Sequence, residues 1–182
     1  MKSYFRILVV CIVCTLIVPL QSLSYSDDDV KEFLKAAGNG DLRTVKKFVE
    51  GGMDINVTDN EGYTALMRGA PGNVFMASFL IKQGADINMV AEDGNTAFMS
   101  ACMSGNLDSA VLLESKGADV HCARNNGYTP LMSAASRGNI NMVEFLLSKG
   151  VYVNAEREDG ATALSFAKRK KVIEFLKRHG AR

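Results

Sequence analysis

Few side chains in this sequence of 182 residues have the chemistry for metal binding, disulfide formation or nucleophilic attack. His121 and Cys122 are adjacent, but two neighbouring donors without a second pair miss the ligand spacing of a zinc site. Cys102 falls at an inward helical position and Cys122 in an extended segment, so a disulfide, which needs Cα atoms within about 7 Å, is not expected. Met67, Met99 and Met132 recur at equivalent places, and a ladder of thioethers would suit soft copper. Helices pack about 8–10 Å apart, too far for successive sulfurs to share an ion, so gap-filling packing is the reading. His179 lies near the chain end, where imidazolium suits a helix C-terminus. No Ser/His/Asp or Cys/His set has catalytic spacing, and no glycine turn reads GxxxxGK[ST]. A non-enzyme is expected, with no cofactor, no metal and no small-molecule substrate; an enzyme would need a deep polar pocket with convergent titratable groups.

The elements that carry these residues repeat. Gly62-Tyr63-Thr64-Ala65-Leu66-Met67 returns as Gly94-Asn95-Thr96-Ala97-Phe98-Met99, Gly127-Tyr128-Thr129-Pro130-Leu131-Met132 and Gly160-Ala161-Thr162-Ala163-Leu164-Ser165, at intervals of 32, 33 and 33 residues. A second glycine series, Gly40, Gly72, Gly105 and Gly138, precedes Asp41, Asn73, Asn106 and Asn139; a third is Gly52, Gly84, Gly117 and Gly150. The threonines predict N-caps of a short first helix, with Pro130 suited to the first helical position. The second glycines predict a turn into a second helix capped by Asp or Asn, and the third a left-handed helix end. Extended tails follow, such as Ala85-Asp86-Ile87-Asn88 and Ala118-Asp119-Val120-His121.

This period, the Gly-x-Thr-Pro-Leu opening and the Gly-Ala-Asp-Val-Asn close resemble ankyrin repeats, over residues 28–182. The resemblance implies an all-α solenoid of about five helix-turn-helix repeats with short β-turn or hairpin tips, with limits near 28–60, 61–92, 93–125, 126–158 and 159–182. The first copy lacks the Gly-x-Thr opening and begins its helix at Asp29; the last loses three residues between its helices. Lys35, Lys47 and Lys177 make the two ends polar caps. The family's Met-for-His departure at Met67, Met99 and Met132 removes its usual histidine hydrogen bonds. The resemblance also implies an unidentified protein partner on a concave face of tips and first helices. By position that face carries Tyr63, Asn95, Met103, Arg124, Asn126, Tyr128, Arg137 and Arg157, with Tyr63 and Tyr128 as anchors.

The first 26 residues differ from the rest. Lys2 and Arg6 precede an uncharged apolar run, Ile7 to Leu20, that holds Cys11 and Cys14, and small and polar residues follow: the anatomy of a signal-peptide helix. Cleavage fits after Ser24 or after Ser26, and the second is favoured because Asp27-Asp28-Asp29 then opens the mature chain, giving a leader of residues 1–26; an uncleaved membrane anchor over Ile7 to Leu23 is the alternative. Export to the periplasm or the extracellular space is expected. Without the leader the chain holds 19 basic and 20 acidic residues, which excludes a general nucleic-acid binder. Lys168-Arg169-Lys170-Lys171, with Lys177, Arg178 and Arg182, has two readings: a solvated cap, in which cations in the final helix offset its dipole, and weak contact with an anionic membrane.

Overall fold

The computed structural model describes residues 25–182. The leader, with Cys11 and Cys14, lies outside these residues except for Tyr25 and Ser26. Among the described residues there are ten helices: α1 (Asp27–Asn39), α2 (Leu42–Glu50), α3 (Ala65–Gly69), α4 (Val74–Lys82), α5 (Ala97–Ser104), α6 (Leu107–Ser115), α7 (Pro130–Arg137), α8 (Ile140–Ser148), α9 (Ala163–Phe166) and α10 (Lys170–Arg178). They form consecutive antiparallel pairs. The first members stack in a row, α1 on α3 on α5 on α7 on α9, and each second member packs against its own first. None of these helices is long and apolar enough to cross a membrane.

Local chemistry sets the ends of the helices. Thr64, Thr96 and Thr129 hydroxyls accept from the amides of Met67, Met99 and Met132 at 3.2, 3.2 and 3.3 Å. The side chains of Asp41, Asn73, Asn106 and Asn139 cap the second helices. α1 begins two residues before the expected Asp29. Ser26 caps it, its hydroxyl accepting from the Asp29 amide at 3.2 Å while the Ser26 amide donates to the Asp29 carboxylate at 2.9 Å. Tyr25 packs edge-on against Phe48, so both residues belong to the folded unit.

Two pairs depart from the pattern. Gly62 to Gly72 is one residue shorter than the matching intervals after Gly94 and Gly127, which leaves α3 with 5 residues where α5 and α7 have 8. Gly72 consequently stays out of the left-handed region that Gly40, Gly105 and Gly138 adopt. In the last pair, Arg169 takes the place of the capping Asp or Asn and makes no side-chain cap. Lys170 and Lys171 therefore lie in the first turn of α10, where they oppose the helix dipole; only Lys177 and Arg178 offset it. The dipole account of the basic end thus holds for Lys177 and Arg178 and is corrected for Lys170 and Lys171.

Burial lies between pairs. Phe33, Leu66, Phe98 and Leu131 fill the seam of first helices, and Val45, Leu80, Leu113, Leu146 and Leu176 fill the seam beneath the second helices. Met67, Met99 and Met132 are buried with them, as are Cys102 and Ala135. Complete burial of each large apolar side chain contributes about 1.5–3 kcal/mol.

Polar side chains then lock one pair to the next along the extended tails. Asn88 donates to the Gly117 carbonyl at 3.0 Å and accepts from the Asp119 amide at 3.0 Å. Asn154 does the same with Gly180 at 2.9 Å and Arg182 at 3.0 Å, and Asn56 accepts from Asp86 at 2.8 Å. His121 occupies the equivalent place but makes no such side-chain bond among the described residues, and its neighbours across the gap, Val151 and Tyr152, replace the Ala-Asp of earlier tails. The ladder is broken between the third and fourth pairs. His121→Asn restores a donor to the Gly150 carbonyl and an acceptor for the Tyr152 amide, and is expected to stabilise the fold by about 1 kcal/mol. A urea melt whose midpoint does not rise would show that the gap is not one of hydrogen bonding.

Candidate functional site

Between pairs the chain folds into tight hairpin tips. In the first three, Asp59 accepts from the Tyr63 amide at 2.9 Å, Asp93 from the Asn95 amide at 2.9 Å and Asn126 from the Tyr128 amide at 3.0 Å. Backbone bonds join each tip to the next: Glu92 to Glu61, Asn125 to Asp93 and Glu158 to Asn126, each at 3.0 Å. This spacing demands glycine at the turn. At Gly94, φ is 83° and a Cβ would meet the Asn125 nitrogen at 2.6 Å, so both the backbone angle and the close approach exclude a side chain.

A polar chain runs across the tips. The Tyr63 hydroxyl donates to Asp93 at 3.0 Å, Arg124 approaches the same carboxylate at 3.5 Å, and Arg124 also donates to the Asn95 amide oxygen at 3.5 Å. Arg68 pairs with Asp59 at 2.5 Å and its guanidinium lies 4.7 Å from the centre of the Tyr63 ring. Burial raises the Asp59 carboxyl, but hydrogen bonds from Arg68 and from the Tyr63 and Glu61 amides outweigh it and hold the group below its ordinary range. Burial and the Asp93 hydrogen bond push the Tyr63 phenol up, so it stays a donor at neutral pH. At the last tip, hydrogen bonds from Arg157 and the Ala161 amide hold Asp159 at about 2.

Beside this chain lies an open hollow of about 370 Å³. Tyr63, Met103, Arg124 and Arg137 line it, four of the residues expected at the partner face, together with Met67, Arg68 and Pro71. Asn126, Tyr128 and Arg157 lie beyond it. Asn126 is exposed, whereas Tyr128 is half-buried with its ring edge-on to Phe166 at 5.5 Å, and Arg157 stacks over the same ring. Tyr63 and Tyr128 thus spend part of their surface holding the tips together.

Asn95 is corrected. It also borders the hollow, but only 1% of its surface is exposed, and its amide donates to the Ser100 hydroxyl at 2.6 Å. It is a buried brace that supports Ser100 and Arg124, not a side chain presented to a partner. Arg68 is the residue that reading the tips missed. Its signal was in the sequence: it stands four residues after the capping threonine, where the later pairs have Ser100 and Ser133, both buried. A charge at an otherwise interior position marks an opening in the wall.

The groups with nucleophilic or ligating chemistry lie elsewhere. Burial pushes the Cys102 thiol up strongly and raises Cys122 to about 11, so both stay protonated at neutral pH. Cys122 and His121 border a small cavity of about 110 Å³ with mostly apolar walls, including Val120, Leu131 and Val151. Among the described residues no three His, Cys, Asp or Glu side chains are grouped to hold a metal ion.

Asn95→Ala would strand the Ser100 hydroxyl and cost about 1–3 kcal/mol of stability. Chemical denaturation of the variant measures this directly, and an unchanged midpoint would contradict the brace.

The pattern of a family described as "Ankyrin repeats (3 copies)" matches residues 33–123 and 111–182. No curated protein matches the chain. With paired helices stacked first on first, hairpin tips between them and the family pattern running through most of its length, this chain belongs to the ankyrin-repeat family.

Proposed function

We propose that the chain is an exported, non-catalytic binding module whose protein partner docks on the tip face, over the hollow bordered by Met103, Arg124 and Arg137. Ankyrin repeats are generally protein–protein interaction modules. The observation that carries the reading is the hollow itself, where side chains from three successive pairs converge on one open surface. Five repeats, with limits near 28–60, 61–92, 93–125, 126–158 and 159–182 and the first extended to its cap at Ser26, account for the paired helices, and a stack of this kind buries enough surface to stand alone.

The test is site-specific crosslinking in the native envelope. A photo-crosslinking phenylalanine analogue in place of Met103 is expected to give one discrete protein adduct, and the same analogue in place of Lys82, on a second helix, none. Equal adducts from both positions, or none from either, would sink the docking face.

Export rests on the leader, with Lys2 and Arg6 ahead of the apolar run. Because Ser26 caps α1 and Tyr25 packs on Phe48, cleavage after Ser24 keeps both contacts and cleavage after Ser26 discards them. These contacts support cleavage after Ser24, in place of the cut after Ser26 that the sequence favours, with the mature chain starting at Tyr25 in the periplasm or outside the cell. The apolar stretch to Leu23 supports a second reading, a membrane-tethered scaffold with the leader retained. Exposed Lys168, Arg169 and Lys171, with Lys170 paired to Glu174 at 3.8 Å, would touch an anionic membrane weakly in either case. Intact-mass measurement of the protein from cells is expected to give the chain from Tyr25; the full-length mass would establish the tether instead.

A further inference from the structure

The hollow has a definite charge. Three guanidiniums border it, those of Arg68, Arg124 and Arg137, and no carboxylate is among its lining side chains. Arg68 and Arg124 turn one edge toward Asp59 and Asp93 behind the rim, while Arg137 is exposed and has no carboxylate partner among the described residues. Arg124 is under-bonded: both of its contacts are at 3.5 Å, and its Nε is buried without a hydrogen-bond partner. A guanidinium has five donors in a fixed fork that matches a carboxylate, and this one has most of them unmet. Met67 and Met103 add soft apolar surface beside these cations.

We propose that the hollow takes an acidic, extended segment of the protein partner, seating carboxylates on Arg137 and Arg124 and an apolar side chain against Met103. Charge complementarity selects this occupant. A basic or neutral segment would leave Arg137 unpaired and Arg124 held only by its 3.5 Å contact with Asp93, and desolvating these cations on docking would oppose binding. An extended segment suits the place because its alternate side chains point the same way, about 7 Å apart, which lets one acidic and one apolar residue reach the floor together. Met103 conforms to differently shaped apolar side chains, so recognition is set by charge on one side and by pliable packing on the other.

This inference rests on the docking face proposed above, and the two can fail separately. The probe is a fluorescein-labelled peptide of Glu and Ser residues around one central Leu, with a counterpart in which every Glu is replaced by Gln, titrated against the purified protein by fluorescence anisotropy. The Glu peptide is expected to bind at least tenfold more tightly than the Gln peptide. Arg137→Glu is expected to weaken the Glu peptide at least tenfold, and Lys82→Glu, the same charge change on another face, to leave it within twofold. Equal binding of the two peptides, no binding of either, or equal losses from both substitutions would overturn the proposal. Arg137 is exposed, so its replacement does not threaten the fold; circular dichroism of each variant verifies that. If the analogue at position 103 captures a partner and Arg137→Glu leaves that capture unchanged, the docking face stands and acidic recognition falls. Failure of capture itself removes the reading beneath both.

Discussion

No helix pair in this protein can bury its own apolar face, and every other feature depends on the contact between one pair and the next. Most of the helices are 8 or 9 residues long, well short of the roughly 12–15 at which an isolated helix becomes even marginal in water. Their stability comes from columns of side chains that cross the pair boundaries, Phe33 to Leu66 to Phe98 to Leu131 on one side and Leu80 to Leu113 to Leu146 on the other. Helix length, cap chemistry and turn glycines serve that contact by bringing each pair to the same orientation over its neighbour. Such stacking is local, so stability is close to a sum of neighbour terms.

Apolar columns are tolerant of small slips, and polar bonds supply the pitch. Two sets lie at opposite ends of each pair: backbone bonds between successive tips, and asparagine bonds between successive tails. The tips keep their set at all three junctions, whereas the tails lose theirs at His121. The third and fourth pairs are therefore held by their tips and their helices while the tail side is open, with the small apolar cavity beside Tyr152 lying in that opening. Arg124 and Arg137 belong to those same two pairs. The junction whose tail side lacks its asparagine bonds carries on the other side an arginine with a buried, unpartnered Nε.

What the sequence made legible follows from repetition. Three glycine series, the threonine caps and the Asp or Asn caps were readable because each appears several times at one interval, and a residue that recurs in step reports a shared backbone need. Features that occur once were harder. Asn95 follows its turn glycine as Tyr63 and Tyr128 follow theirs, yet it turns inward because Ser100 offers a partner, and that pairing exists only in one copy. The missing residue in the second pair shortens α3, which ends one residue after Arg68, and the missing three in the last pair bring Lys170 and Lys171 to the wrong end of a helix dipole. Deletions are visible as intervals, but their effect on direction depends on how each shortened helix meets its neighbours.

The cross-tip network could have been anticipated from the same interval. Asp93 and Arg124 are 31 residues apart and Tyr63 and Asp93 are 30, and positions separated by nearly one period are neighbours in adjacent copies. A period turns distant charges into candidate pairs, but it does not say how well they bond. Arg124 shows the difference, because its sequence position gives it a carboxylate and its geometry leaves that carboxylate at the edge of reach. Exposed ion pairs contribute little to stability, so such a tip can be rebuilt at small cost to the fold. The helices and their seams hold the scaffold constant while the tip side chains are free to suit a partner, and an arginine whose donors are unmet at home is the part of that surface with most to gain from one.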